Sequence, residues 1–322
     1  MSDNTATQRS TVFDPHRQFA LSSSQSIQDC IRLARATTGR ERLVKFDANY
    51  HGHLDATLVV AAGGSVALEY HGTDPRALET TEVISFNDVN ALEQVLSPRD
   101  VALVIAEPAM TNIGIIEPVA GYHEAIRTLT RDTGTLLLID ETQTLMCAYG
   151  GLTNEYRLQA DMFVLGKSLG GGIVPFSAYG LADEVAARIE APHAAFEVSG
   201  EPVDEIALGG TMWGYAVGAA AARAALEHVL IEEAYERTIA LGERLADGLE
   251  RTISGVDLPW TVQRLGTRAA YTTAPVVPRD AAEARAADIA GFKDAQRVHG
   301  EPRRLGFRLV GRTVPVGGAH RR

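Results

Sequence analysis

Short, largely apolar runs alternate with amphipathic stretches along most of the chain. Leu43–Phe46, Val101–Ala106, Leu136–Ile139 and Met162–Leu165 are runs of this kind, bounded by turn-forming or charged residues. Their length and composition predict strands buried on both faces. Between them, Ser24–Thr38 carries Ile27, Ile31 and Ala34 at helical spacing and stops at Gly39. Gly121–Arg131 repeats that spacing. Such strands alternating with helices predict an α/β fold with a mainly parallel, doubly wound sheet. Later, Gly218–Leu230 reads as an Ala-rich helix and Glu232–Ile253 as a long second one. Thr261–Thr273 reads as the opening strand of a smaller domain.

The two ends differ from this pattern. Residues 1–18 read as a polar leader without the apolar centre of a signal peptide. From about residue 297 the chain holds seven arginines against one acid, Glu301, and no helical stripe. That tail reads as a non-native reading frame or a frayed end, with a basic interaction arm as the alternative.

At 322 residues the chain is long enough for one large domain or two ordinary ones. A net charge of -11 disfavours nucleic acid and anionic membranes as partners. Cys30 and Cys147 are too few for a disulfide framework, and no CxxC pair suggests structural zinc. No apolar run is long enough to cross a bilayer. A cytoplasmic location is the expectation.

Two segments carry the chemistry. Leu137–Glu141 and Val164–Gly172 are each an apolar strand that ends in charge and a turn. Ligands of open parallel sheets bind beyond the carboxyl ends of strands, so Asp140 and Lys167 are expected to share one crevice. An amine and a carboxylate there suit pyridoxal phosphate (PLP), with a Schiff-base lysine and an acid facing the pyridine nitrogen. The same residues also suit a surface lysine and a strand-end cap, and periodicity does not separate the two readings. Gly166-Lys167-Ser168 is not a phosphate loop, because position 161 is Asp and three glycines follow Leu169. A metal-hydrolase alternative rests on His51, His53 and Asp55, but Ala56 stands where the fuller pattern has another His.

Taken in order, these segments resemble class III (subgroup II) PLP-dependent aminotransferases, with the glutamate-1-semialdehyde 2,1-aminomutase branch nearest. The matching segments are Arg32–Arg40; Tyr50-His51-Gly52-His53; Glu107-Pro108 with Asn112-Ile113-Gly114; Asp140–Thr144; Gly166-Lys167; and Gly210-Thr211. The resemblance covers roughly residues 19–275. It implies fold type I, a PLP cofactor, amino-group transfer by a transaminase or aminomutase, a small amino-acid or amine substrate, and a homodimer with a shared active site. It implies Lys167 as the Schiff-base lysine and proton carrier, and Asp140 as the partner of the pyridine nitrogen. Tyr50 matches the ring that stacks on the cofactor, and Asn112 a side chain near its hydroxyl. Thr142 stands where the family usually has Val against the other ring face. Thr211 matches the residue that reaches the partner subunit's cofactor phosphate. His51 and His53 then belong to the stacking loop.

Departures from the family shape further expectations. Ser22-Ser23-Ser24 replaces a Ser-Gly-Thr phosphate loop. Ser23 and Ser24 remain cofactor-binding candidates at a helix N-terminus, but the added Cβ at position 23 predicts weakened binding. Gly214-Tyr215 replaces a Gly-Asn pair after Thr211. A large PLP-binding domain is expected over residues 19–230, without the family's N-terminal segment. An incomplete small C-terminal domain is expected over residues 231–322. A degenerate, inactive PLP-fold protein is therefore the main alternative function. Arg264 and Arg268 are substrate-carboxylate candidates by type alone, and both read as surface charges.

Overall fold

A computed structural model describes residues 16–190, 196–198, 201–203 and 206–289. Its centre is a seven-stranded sheet. The strands are β1 (Arg17–Ala20), β2 (Arg42–Phe46), β5 (Thr81–Ile84), β6 (Val101–Ala106), β7 (Leu136–Asp140), β8 (Met162–Leu165) and β9 (Ser177–Leu181). A separate hairpin, β3 (Val59–Ala62) with β4 (Ser65–Leu68), lies between β2 and β5 in the chain. The spatial order is β1-β9-β8-β7-β6-β2-β5. The five strands from β8 to β5 run parallel, and β9 is antiparallel to both neighbours.

Alternation along β6 explains the two-sided core. Val104 and Ala106 pack on one face with Phe46, Phe86 and Tyr122. Leu103 and Ile105 pack on the other with Ile27, Ile31 and Tyr179. Side chains alternate at period two, so a strand covered on both faces has no polar side. Helix α1 (Ser23–Thr38) covers the second face through Ile27, Cys30, Ile31 and Ala34. The Ser22 side chain caps its start by accepting from Gln25 N–H, and Gly39 ends it at φ 69°. On the first face lie α2 (Val89–Leu96) and α3 (Tyr122–Thr133), the latter burying Tyr122, Ile126 and Thr130.

Several expected boundaries move. Arg17 and Gln18 belong to β1 rather than to the leader, because they pair with Gly180 and Tyr179 at the sheet edge. Residues 1–15 of the leader and the Arg-rich tail lie outside the described residues. After α4 (Asp183–Glu190), a small hairpin of β10 (Phe196–Val198) and β11 (Glu201–Val203) precedes α5 (Ala216–His228) and α6 (Glu232–Gly255). Thr261–Thr273, expected as one strand, is a hairpin of β12 (Thr261–Leu265) and β13 (Arg268–Thr272). Gly266, at φ 55°, makes the reversal. A Cβ there would lie 1.6 Å from the Cys147 carbonyl oxygen, so only glycine fits.

Helical residues 281–289 return to the large sheet. Ala281 and Ala284 join the core around Phe46 and Tyr122. Arg285 clamps the buried Asp47 with both terminal nitrogens. Arg285→Ala removes the charge partner of a buried carboxylate. It is expected to cost about 1–2 kcal/mol in chemical denaturation, the half-exposed arginine holding the figure below that of a fully buried pair. Arg285→Ala with Asp47→Asn is expected to recover most of that loss. An unchanged denaturation midpoint in the single variant would show that this docking carries no stability.

Candidate active site

Asp140 is the last residue of β7, and Lys167 follows β8 after one glycine. β7 and β8 are parallel neighbours with Asp140 opposite Val164, so both side chains emerge at the same sheet edge. A cavity of about 280 Å³ opens there. Ser22, Ser23, Ser24, Tyr50, His51, Gly52, Asp140, Thr142 and Lys167 all contribute to its wall. Six of the eight expected site residues therefore converge, namely Ser23, Ser24, Tyr50, Asp140, Thr142 and Lys167. Asn112 is exposed, reaches the Ala48 carbonyl at 3.5 Å and does not line the cavity. Thr211 is also exposed and stands apart from this chain's cavity.

His51 supplies the geometry that the sequence reading missed. Its Nδ1 lies 2.9 Å from Asp140 Oδ2, with both side chains buried. The Thr142 backbone N–H donates to Asp140 Oδ1 at 3.0 Å. Burial alone would raise the Asp140 pKa. The hydrogen bond and charge of His51, with the Thr142 contact, outweigh it and hold the carboxyl below its ordinary value. Behind this pair sits Glu107, fully buried, which accepts from the Asn49 side chain and from Thr111 Oγ1 at 3.0 Å. Desolvation raises its pKa, opposed by the nearby His51 and by its hydrogen bonds from Asn49 and Thr111.

Lys167 has φ 47°, a left-handed backbone uncommon for a side chain with a Cβ. Its side chain opens into the cavity. Desolvation lowers its pKa, Asp140 and Glu107 oppose that shift, and Arg268 adds to it. A lowered pKa leaves more of the amine neutral and nucleophilic near neutral pH.

The N-terminus of α1 closes the opposite wall. The first N–H groups of a helix have no intrahelical partner and favour an anion. Serine at positions 23 and 24 is accommodated by glycine opposite. A Cβ on Gly166 would lie 1.9 Å from Ser23 Oγ, and one on Gly52 would lie 2.3 Å from Ser24 Oγ. Ser24 Oγ accepts from His53 N–H at 2.9 Å, which ties the Tyr50–His53 loop to the helix end.

The metal alternative does not survive this geometry. His51 turns inward to Asp140, whereas His53 and Asp55 are exposed. Among the described residues no group of three His, Cys, Asp or Glu side chains could hold a metal. Nor is any helix among them long and apolar enough to cross a membrane. Arg264, as expected, is a surface charge, bound to Glu243, Asp247 and Glu250.

The chain is similar to known proteins. The family model for Aminotransferase class-III matches residues 6–291. Glutamate-1-semialdehyde 2,1-aminomutase of Rhodopirellula baltica is 34% identical over 251 residues, 76% of this chain and 54% of that protein. Its counterpart in Thermomicrobium roseum is 35% identical over 293 residues, 88% of this chain and 65% of that protein. This chain thus spans 54% to 65% of the length of these two curated relatives. Among solved structures, a glutamate-1-semialdehyde-aminomutase variant from Pseudomonas aeruginosa PAO1 in complex with PMP superposes with a TM-score of 0.80. It is 35% identical, over 87% of this chain and 62% of that one. An omega-transaminase from Sphaerobacter thermophilus superposes at 0.74 with 26% identity, over 88% of this chain and 64% of that one. These neighbours share the mainly parallel sheet of fold type I. A family match that runs from residue 6 to residue 291 sets the conclusion: this chain belongs to the class-III aminotransferases.

Proposed function

We propose that this chain transfers an amino group with PLP held in the Asp140–Lys167 cavity. It acts as a transaminase or aminomutase on a small amine or amino acid, in a homodimer. One observation carries the reading. A buried carboxylate, kept charged by His51, faces the same cavity as an amine whose pKa is depressed.

The residues present fit the cofactor. Thr142 Oγ1 and His51 Nε2 are buried without a hydrogen-bond partner at this wall, so polar capacity remains there for a ligand. Bound PLP supplies an aldehyde that condenses with amines and a protonated ring that withdraws electrons from the adjacent carbon. Ser23 and Ser24 at the start of α1 hold its phosphate. Tyr50, part-exposed, and Thr142 both line the cavity and would pack against the cofactor's ring. Asp140 keeps a proton on the ring nitrogen, and His51 fixes which Asp140 oxygen is free to do so. The Lys167 amine would hold the cofactor's aldehyde and would be the group placed to move a proton at the substrate carbon. Asn112 lies one residue beyond Thr111, itself bound to Glu107, and would have to leave the Ala48 carbonyl to reach a bound cofactor. Thr211, exposed here, serves the partner subunit's cofactor phosphate.

Three measurements follow. Borohydride reduction of protein incubated with PLP is expected to fix the cofactor on the peptide containing Lys167, read by mass spectrometry, with nothing fixed in Lys167→Ala. No modified Lys167 in the wild-type chain would favour the degenerate alternative. In the apoprotein, pH-dependent acylation of Lys167 is expected to have a midpoint below the ordinary lysine value of about 10.4. Asp140→Asn removes a charge that favours the ammonium, so it moves that midpoint lower still. A midpoint at or above the ordinary value would contradict this electrostatic description. His51→Leu is expected to lower kcat for amino transfer by roughly 10-fold or more, through loss of a charge-assisted hydrogen bond. Borohydride trapping at Lys167 continues in that variant. His51→Asn, which keeps a donor near Nδ1, recovers part of the rate. Equal rates in His51→Leu and wild type would remove His51 from the mechanism.

A further inference from the structure

A second cavity, of about 250 Å³, lies apart from the Asp140–Lys167 cavity. Helix α3 forms one wall through His123, Arg127 and Arg131, spaced four residues apart on one helix face. Residues 156–159 form the other wall, and Leu137 and Ile139 of β7 form the floor. Those two leucine and isoleucine side chains belong to the core around Phe46, whereas Leu138 belongs to the core under α1. By that alternation Asp140 leaves β7 on the opposite face, and the two cavities share no lining residue.

The walls carry positive charge that their neighbours do not neutralise. Arg127 is matched by Asp161, at 2.7 and 2.9 Å. Asp161 also accepts from Leu137 N–H, so that ion pair is a fixed strut of the cavity. The Arg131 guanidinium meets a neutral amide, Gln159 Oε1 at 2.7 Å. The Arg157 side chain has no hydrogen bond or ion pair among the described residues. His123 donates from Nε2 to the Pro108 carbonyl, and burial lowers its pKa, so it is an uncharged wall near neutral pH. Glu124, exposed on α3, is the only carboxylate among the described residues that line the cavity.

Two guanidinium groups without carboxylate partners, on facing walls of one cavity, suit an anion, on a chain whose net charge is -11. The backbone at Arg157 points the same way. It holds φ 52°, which glycine adopts without strain, so a long cationic side chain stands where the turn itself needs none. Elsewhere the lining is apolar or aromatic, with the Tyr156 and His123 rings 5.9 Å apart beside Leu137, Ile139 and Leu158. We propose that this cavity binds a small organic monophosphate, with Arg131 and Arg157 on its phosphate and the apolar floor and Tyr156 against its body. A tetrahedral phosphate presents oxygens toward both walls at once, whereas a planar carboxylate fills the fork of one arginine. The volume of about 250 Å³ suits a small molecule, since larger ligands take pockets of roughly 300–1,000 Å³. The site is independent of amino transfer at Lys167.

Calorimetric titration tests this with phenyl phosphate, alongside inorganic phosphate, phthalate and benzyl alcohol. The protein is first loaded with PLP and reduced with borohydride, which keeps the probes out of the Asp140–Lys167 cavity. Phenyl phosphate is expected to bind saturably, and more tightly than any of the other three. Arg131→Gln and Arg157→Gln are each expected to weaken it by about 10-fold or more, through loss of a charge-assisted hydrogen bond. Glu124→Gln removes the opposing charge and tightens binding. Arg157→Gly guards against a variant that fails to fold, because glycine suits φ 52°. It is expected to keep the wild-type denaturation midpoint and still lose binding as Arg157→Gln does. No saturable binding in the wild type, or binding that the arginine variants leave unchanged, would overturn the site. Phthalate bound as tightly as phenyl phosphate would overturn the phosphate assignment. Benzyl alcohol bound as tightly would overturn it too, leaving an apolar groove. If no PLP is fixed on Lys167, the amino-transfer reading falls, and the arginine variants still decide this site because neither Arg131 nor Arg157 lines the other cavity.

Discussion

The site depends on one buried charge. A carboxylate at the end of β7 loses its water, and an isolated ion there would take up a proton instead. The His51 ring at 2.9 Å and the Thr142 N–H at 3.0 Å prevent this and keep Asp140 ionised inside the protein. Neighbouring features follow from that arrangement. The Tyr50–His53 loop must dip into the sheet edge to deliver His51, and Ser24 anchors the loop where it leaves. Glu107 is satisfied separately by Asn49 and Thr111, which leaves the His51 Nδ1 contact to Asp140.

Backbone geometry brings the other groups within reach of that charge. Parallel pairing of β7 with β8 places Lys167 beside Asp140, which an antiparallel neighbour would have carried to the far end. Gly166 and Gly52 let the α1 N-terminus press against both the lysine turn and the histidine loop. The serines at positions 23 and 24 do not open a gap in this contact; their hydroxyls fill the space that the two glycines leave. The return of residues 281–289 to the core around Phe46 fastens the end of the described chain to the same sheet.

Most of this sheet was legible from residue pattern. Val101–Ala106 and Met162–Leu165 are strands with the bounds that their apolar runs predict, and α1 begins within one residue of its expected start. Thr81–Ile84 was not legible, because Glu82 interrupts a short strand at the sheet edge. The β12–β13 reversal was hidden because Gly266-Thr267 interrupts an otherwise continuous strand-like stretch. In the site, strand-end charge identified Asp140 and Lys167. His51 was visible as a residue but not as a partner, since its contact with Asp140 spans 89 positions. Arg264 and Arg268 read alike by charge type, which cannot show that Arg264 has three acidic partners while the half-buried Arg268 reaches Gln143.

The claim that Asp140 is held charged and aimed into the cavity has a direct spectroscopic test. PLP labelled with 15N in its ring, bound to the protein, reports the protonation of the nitrogen that Asp140 would face. A pyridinium-like chemical shift that persists across neutral pH, and moves toward that of neutral pyridine in Asp140→Ala, is the expected result. A neutral-pyridine shift in the wild-type protein would contradict the role of Asp140, and with it the function of the His51 contact.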